Sequence, residues 1–315
     1  MAGSLLVGAA GLVTLGQVTA PVSRQVRTGP PTTLDLGDIR IHAIRTGRVA
    51  VKRAHRVLAG PDVTRFGSIV LDPRWTDWLP VTCFLVEHPE TTVMIDAGET
   101  ARTAEPGYFD CDLGTRLVYD RLLRFDVHSD DESGPQLDRL GVDPANVDIV
   151  AMTHLHGDHT GGLHHFPNAR FLASRTELER PTVGALRCRW PDFFTPSPVD
   201  YDDGPFGAFP KSRALTEDKA VRLVPTPGHT YGHQSVLIRG AEDGAERWVL
   251  VGGDATFDLQ QVRSRTVAGI CDDPTAARKT VAHIADQLAA YPTVYAPAHD
   301  PHGAERLADS GTAES

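Results

Sequence analysis

The 315-residue chain predicts a layered α+β protein. Segments with strand character outnumber long helical ones, and they arrive in consecutive groups instead of a regular βαβ alternation. A third observation places the chemistry. A dense run of histidine and aspartate follows directly on one of the predicted strands, and further His and Asp residues stand at the ends of later ones.

The elements are justified in chain order. Pro30-Pro31 separates an apolar N-terminal arm, residues 1–30, from a body spanning residues 31–310. Ile39 to Ile44 alternates as a strand does, and Gly47 predicts a turn after it. Cys83–Val86 and Thr92–Ile95 form a strand pair joined by a turn around Pro89-Glu90. Pro135 to Leu140 predicts a short helix closed by Gly141, because glycine adopts the left-handed conformation that ends a helix without steric cost. Strands are expected again at Val147–Met152, Arg170–Ala173, Val221–Val224, Ser235–Ile238 and Trp248–Val251. The longest helix spans Pro274 to Ala290. Asp273 can accept from its free N–H groups, Pro274 suits its first position, and Val281, Ile284 and Leu288 share a face. Pro292 stops it, and a last strand, Thr293 to Tyr295, follows. Arg187 to Phe209 holds Trp190, Phe193, Phe194, Tyr201, Phe206 and Phe209 without a period, which predicts a lid over a binding site or a loop packed on itself.

Composition bounds the function. Hydrophobic residues make up 41% and charged residues 23%, enough for a sizeable core. A formal charge of -10 excludes nucleic acid as the main partner, since phosphate binding requires a basic surface. Cys83, Cys111, Cys188 and Cys271 show no short spacing, so they are expected as buried thiols and not as a disulfide framework, with Cys83 in the core. Leu5 to Val18 is apolar but too short and glycine-rich to span a bilayer, so no stable membrane insertion is expected. No Lys or Arg precedes this run, which favours a cytoplasmic protein with an N-terminal arm. The alternative is an exported chain cleaved near Ala20.

The chemistry is concentrated in Thr153-His154-Leu155-His156-Gly157-Asp158-His159. Imidazole and carboxylate are the ligands that zinc-class ions prefer, and His and Asp are poor core residues unless paired or coordinated. His229, Asp254 and His299 each follow a predicted strand, so an open sheet can gather all seven side chains into one crevice. That makes a dinuclear metal site the expectation.

The order HxHxDH, PGHTxGH, GGD and a C-terminal PAH resembles the metallo-β-lactamase-fold hydrolases, over about residues 39 to 300. The wording THLHGDHTGG and PTPGHTYGHQS is most similar to the N-acyl-homoserine-lactone lactonase branch. The resemblance implies a four-layer αββα sandwich. It implies that His154, His156 and His229 hold one divalent ion, that Asp158, His159 and His299 hold a second, and that Asp254 bridges them. Zinc is the first expectation for both. It further implies attack of a metal-bridging hydroxide on a lactone carbonyl, with Asp158 also catalytic as a proton carrier, and a homodimeric assembly. Hydrolysis of another ester, a thioester or a phosphotriester on the same site is the alternative.

One departure stands out. The resembled lactonases place a tyrosine three residues after the bridging aspartate, where this chain has Phe257, which cannot donate a hydrogen bond. Thr256, Tyr231 or a lid residue are the expected substitutes. Asp96 is expected either to support the metal loops from behind or to form a plain turn, and His233 to be structural. His164 and His165 are expected at the surface or satisfied in a loop, His283 and His302 at the surface, and Trp75 and Trp78 in the core, with the pocket mouth as the alternative.

Overall fold

The computed structural model describes residues 28–57, 65–180 and 182–309. The expected arm or cleavable segment at residues 1–30 therefore lies almost wholly outside the described residues. Among those described, no helix is long and apolar enough to cross a membrane.

Thirteen strands build two sheets among the described residues. The first contains β1 (Thr32–Leu36), β2 (Ile39–Val51), β3 (Leu79–His88), β4 (Thr91–Ile95), β5 (Leu123–Asp126), β6 (Ile149–Ala151), β7 (Arg170–Ser174) and β8 (Ser197–Val199). Its order is β1-β2-β3-β4-β6-β7-β8, with β5 pairing to β2. The second contains β9 (Arg213–Ala214), β10 (Val221–Pro225), β11 (Gln234–Glu242), β12 (Ala245–Gly253) and β13 (Thr293–Pro297), in the order β13-β12-β11-β10-β9.

Strand alternation explains why the sheets stack. Phe84 and Val86 of β3 and Val249 and Val251 of β12 point into one core shared by both sheets. Their neighbours Cys83 and Leu85 point the other way, onto Leu137 of the helix Ser133–Leu140 and onto Leu163 and Phe166. Trp248 and Leu250 point the other way from the second sheet, onto Ile284 of the helix Pro274–Ala290. Each central strand thus buries both faces, which is why these runs read as continuously apolar. The result is the expected αββα order of layers.

Both helices predicted with caps are present. Asp273 accepts from Thr275 N and Ala276 N, each at 2.9 Å, and Gly141 sits at φ 78°. Gly47 corrects an expectation. No turn forms there; β2 runs on to Val51 with a register shift between Arg45 and Gly47. A side chain at Gly47 would meet Val127 Cγ2 at 2.7 Å, so the glycine serves close packing against the segment after β5. Short β1, β5, β8 and β9 were not expected, and β1 and β5 edge the long β2 where few residues carry the alternation.

The cysteine expectation is also corrected. Cys83 and Cys271 are buried thiols, but Cys111 and Cys188 are joined by a disulfide with their Cα atoms 5.6 Å apart. They are separated by 77 residues, so no local spacing could reveal the bond. The aromatic segment is corrected too. Trp190 packs on Phe194, Phe194 on Phe171 and Phe206 on Trp248, closing outer faces of the two sheets, while Tyr201 packs on the shared core; none of the segment's described residues lines the cavity at the metal-type cluster. Trp75 and Trp78 do not enter the core; they are half-buried beneath Lys52 and Arg124 and beneath Arg48 respectively. His302 is exposed as expected, while His283 is half-buried with its ring near Phe209.

Denaturing the protein without reductant should leave two thiols, Cys83 and Cys271, open to alkylation, and reduction should raise the count to four. Mass spectrometry of the labelled chain reads this directly, and four labels without reductant would disprove the bond.

Candidate metal centre

The site is built at one edge of the two sheets, where parallel strands end together. β4 and β6 are parallel, as are β12 and β13, and β10 runs in the same sense as β12 because β11 pairs antiparallel to both. Asp96 follows β4, the run 153–159 follows β6, His229 follows β10, Asp254 follows β12 and His299 follows β13. Hydrogen bonds from Gln234 N to Thr153 O (2.9 Å) and from Thr82 N to Ala298 O (3.1 Å) tie the two sheets together at this edge.

The backbone before two of the site residues requires glycine. Gly253 sits at φ 52°, and a Cβ there would lie 2.8 Å from both His233 Nε2 and Thr153, so the turn into Asp254 tolerates no side chain. Gly228 sits at φ 140° against the backbone of Ala277, which lets the loop carrying His229 lie on the start of the long helix.

All seven residues singled out from the sequence converge. His154 Nε2 lies 2.9 Å from His156 Nδ1, which lies 3.0 Å from His229 Nε2. His299 Nε2 is 3.4 Å from Asp158 Oδ2 and 3.3 Å from Asp254 Oδ2. The other Asp254 oxygen is 3.3 Å from His159 Nε2, and Asp254 Oδ2 is also 3.4 Å from His229 Nε2. Asp254 therefore stands between a three-imidazole group and an Asp-His-His group.

The outer nitrogen of every ring is engaged. His156 Nε2 donates to Val183 O (3.1 Å), His229 Nδ1 to Ile270 O (3.3 Å) and His299 Nδ1 to Pro80 O (2.8 Å). His159 Nδ1 donates to Asp96 Oδ2 at 2.7 Å. Thr153 Oγ1 gives its proton to Asp96 Oδ2 (2.7 Å) and so accepts from His154 Nδ1 (3.1 Å). With the outer N–H assigned, the inner nitrogens of His154, His156 and His229 carry lone pairs. Lone pairs cannot hydrogen-bond one another, so a group of three at about 3 Å is stable only around a cation. At the second group His159 Nε2 and Asp254 Oδ1 are buried 3.3 Å apart without a well-formed hydrogen bond.

Electrostatics separate the two groups. Burial, reinforced by the neighbouring imidazoles, pushes His154 well below its ordinary range; burial also pushes His229 well down, against the pull of Asp254. His299 moves the other way. Burial would lower it, but Asp254 and Asp158 outweigh that and hold it up at about 10. His159 is raised for the same reason, with Asp96 the largest of the charges opposing its burial. Asp254 is held well below the carboxylate range, since His299 and His159 overcome the effect of burial. In the absence of ions, positive charge collects on His159 and His299, where the carboxylates face.

The surrounding residues sort as follows. Asp96 accepts Thr153 N and His159 Nδ1 at 2.7 Å each, so it supports the loop from behind and is no mere turn residue. His233 is structural: it accepts from Asp254 N (3.0 Å), and its Nδ1 bonds Thr226. Thr256 cannot replace a hydroxyl at position 257, because it is bonded to Tyr295 and Asp258. Tyr231 cannot either; it lies under Arg180, outside the cavity. His165 and His164 both bond Glu132, the first at 2.9 Å and the second at 3.3 Å.

Sequence reasoning missed three residues. Glu177 receives Leu155 N (3.1 Å), Thr230 Oγ1 (2.6 Å) and Gly232 N (3.1 Å), so one carboxylate clamps the 153–159 loop to the 227–233 loop. Tyr119 donates to Gly184 O (2.6 Å) and accepts from Gly157 N (3.1 Å). His55 lines the cavity over the cluster. None has a periodic or spaced signal, because each meets the site only through the fold. The cavity wall is otherwise apolar, from Val49, Val51, Leu123, Phe125, Phe257 and Ile270.

Known proteins place this arrangement. The model of the metallo-beta-lactamase superfamily matches residues 76–299. The N-acyl homoserine lactonase AttM of Azorhizobium caulinodans is 31% identical over 207 residues, which cover 61% of this chain and 70% of that protein. Among solved structures, an N-acyl homoserine lactone hydrolase with its product N-hexanoyl-L-homoserine at the catalytic metal centre aligns with a TM-score of 0.65 at 20% identity, over 88% of this chain and 96% of that one. AidC, a dizinc quorum-quenching lactonase in complex with a product, aligns with a TM-score of 0.56 at 13% identity, over 86% and 91%. With the family model covering most of the chain and the donor cluster at the expected strand ends, this protein belongs to the metallo-beta-lactamase superfamily.

Proposed function

We propose that this chain is a dinuclear metal-dependent hydrolase that opens the ring of N-acyl homoserine lactones. The observation that carries the reading is the convergence of five imidazoles and two carboxylates while every outer ring nitrogen is already bonded. The lactonases among its relatives, and the dizinc and product-bound neighbours of the same fold, support the substrate and the choice of zinc.

His154, His156 and His229 would hold one ion; Asp158, His159 and His299 would hold the other, with Asp254 reaching both. Once bound, such a pair supplies Lewis acidity toward a carbonyl oxygen and acidifies water to a nucleophile near neutral pH. The chain does the rest. Asp158 lines the cavity with Oδ2 3.4 Å from His299, where it can orient the attacking group and hand a proton to the departing alkoxide. Val49, Val51, Leu123, Phe125 and Ile270 offer an acyl chain an apolar wall and exclude bulk water. No Lys or Arg is among the described residues lining this cavity, which weighs against thioesters of anionic carriers.

Two further readings belong here. Residues 31–310 would form the hydrolase domain; strands from Thr32 to Pro297 and the packing of Ala304 and Leu307 into the shared core support that extent. The Cys111–Cys188 bond favours an exported protein over a cytoplasmic one, because cytosolic reductants keep such pairs open.

Purified protein should contain two zinc-class ions per chain by elemental analysis and open N-hexanoyl-L-homoserine lactone, and exhaustive chelation should abolish ring opening until metal is restored. Undiminished turnover after chelation would refute the proposal. Asp158→Asn should lower kcat by about 100-fold or more with metal retained, the range for loss of a general acid-base group. Asp96→Asn should weaken metal affinity by about 10–100-fold, since it removes the acceptor that orients His159, and competition with a chelator measures that loss.

A further inference from the structure

The cavity over the donor cluster contains two polar side chains outside the seven, Tyr119 and His55. Tyr119 has spent its hydroxyl on Gly184 O and Gly157 N. His55 has not. It is only 4% exposed, and its Nδ1 is sealed from solvent without a hydrogen-bond partner. A buried ring nitrogen left without a well-formed hydrogen bond costs roughly 1–3 kcal/mol, which a bound ligand can recover.

The backbone at His55 is held from both sides. Ile270 N donates to His55 O (3.0 Å), while Ile270 O accepts from His229 Nδ1 (3.3 Å), so one residue spaces His55 from a member of the cluster. A side chain at Gly269 would strike Ala54 O, which shows how closely the two backbones approach. The next residue, Arg56, is anchored to Asp258 and to Gln261, and Gln261 Oε1 accepts from Phe257 N at 2.6 Å. His55 thereby sits in the same braced unit as Phe257, whose ring offers no donor. Burial keeps the His55 pKa down at about 4, so at neutral pH the ring holds one N–H and one lone pair.

We propose that His55 contacts the substrate, its imidazole N–H donating to a carbonyl oxygen of the bound N-acyl lactone from the cavity wall. The inference rests on the lactone-hydrolase reading above. Among the described lining residues outside the seven, His55 is the polar side chain left for an ester or amide oxygen entering between apolar walls, since Tyr119 is already bonded.

Metal-loaded His55→Phe and His55→Gln, assayed with N-hexanoyl-L-homoserine lactone, test the contact. Metal content is measured alongside, as is the ring spectrum of isotope-labelled wild type titrated with N-hexanoyl-L-homoserine. In His55→Phe, kcat/KM should fall about tenfold to a hundredfold with both ions retained, as for loss of one buried donor. His55→Gln should regain part of that loss, and the His55 ring nitrogens should shift on titration. Equal kcat/KM in wild type and His55→Phe with an unshifted ring overturns the contact and leaves lactone hydrolysis standing. Should His55→Phe lose metal or fold, the wild-type titration decides by itself. A fully metal-loaded wild type that opens no lactone overturns the hydrolase reading and the contact together.

Discussion

Everything at the sheet edge depends on how five imidazoles are turned. A histidine has two nitrogens, and the oxygen bonded to one decides what the other presents. Here the outer partners are three backbone carbonyls, the Asp96 carboxylate and the Thr153 hydroxyl. They come from distant parts of the chain: Pro80 precedes the middle of β3, Val183 follows β7 and Ile270 precedes the long helix. The site is therefore oriented by the whole sandwich. Any shift between the sheets would rotate rings before it changed which residues were present.

The same logic accounts for the buried acids behind the cluster. Asp96 and Glu177 are nearly sealed from solvent, and each joins segments that carry site residues. A buried carboxylate is costly unless its oxygens are filled, and here backbone and side-chain donors fill them. Asp96 adopts φ 59°, an uncommon conformation for a residue with a side chain, and the turn aims its oxygens at Thr153 and His159. His233 performs the matching task for the second sheet by accepting Asp254 N. Two loops from two sheets are thus locked at a common depth.

Above this rigid floor the cavity is mostly apolar, and among the described residues its polarity comes from the donor cluster, Tyr119 and His55. The wall comes from β2, β5 and the helix Leu113–Leu122, and the disulfide ties the start of that helix to the segment carrying Val183 and Gly184. Fold and site are coupled through this wall.

Much of this was legible in the residues alone. The helix Pro274–Ala290 appears with its expected ends, because Asp273, Pro274 and Pro292 act on their immediate neighbours and need no tertiary context. The seven donors were legible too, since coordination chemistry restricts residue type and strand exits restrict position. Gly47, the aromatic run and the cysteine pair were misread for one shared reason: what each does depends on a partner far away, Val127 for the glycine, the outer sheet faces for the aromatics and 77 intervening residues for the thiols. Local order along the chain thus determined which side chains gather at the sheet edge. Only the packing of one sheet on the other decided which way the rings face, which carboxylates brace them and that His55 enters the cavity, because those contacts join residues that no spacing rule connects.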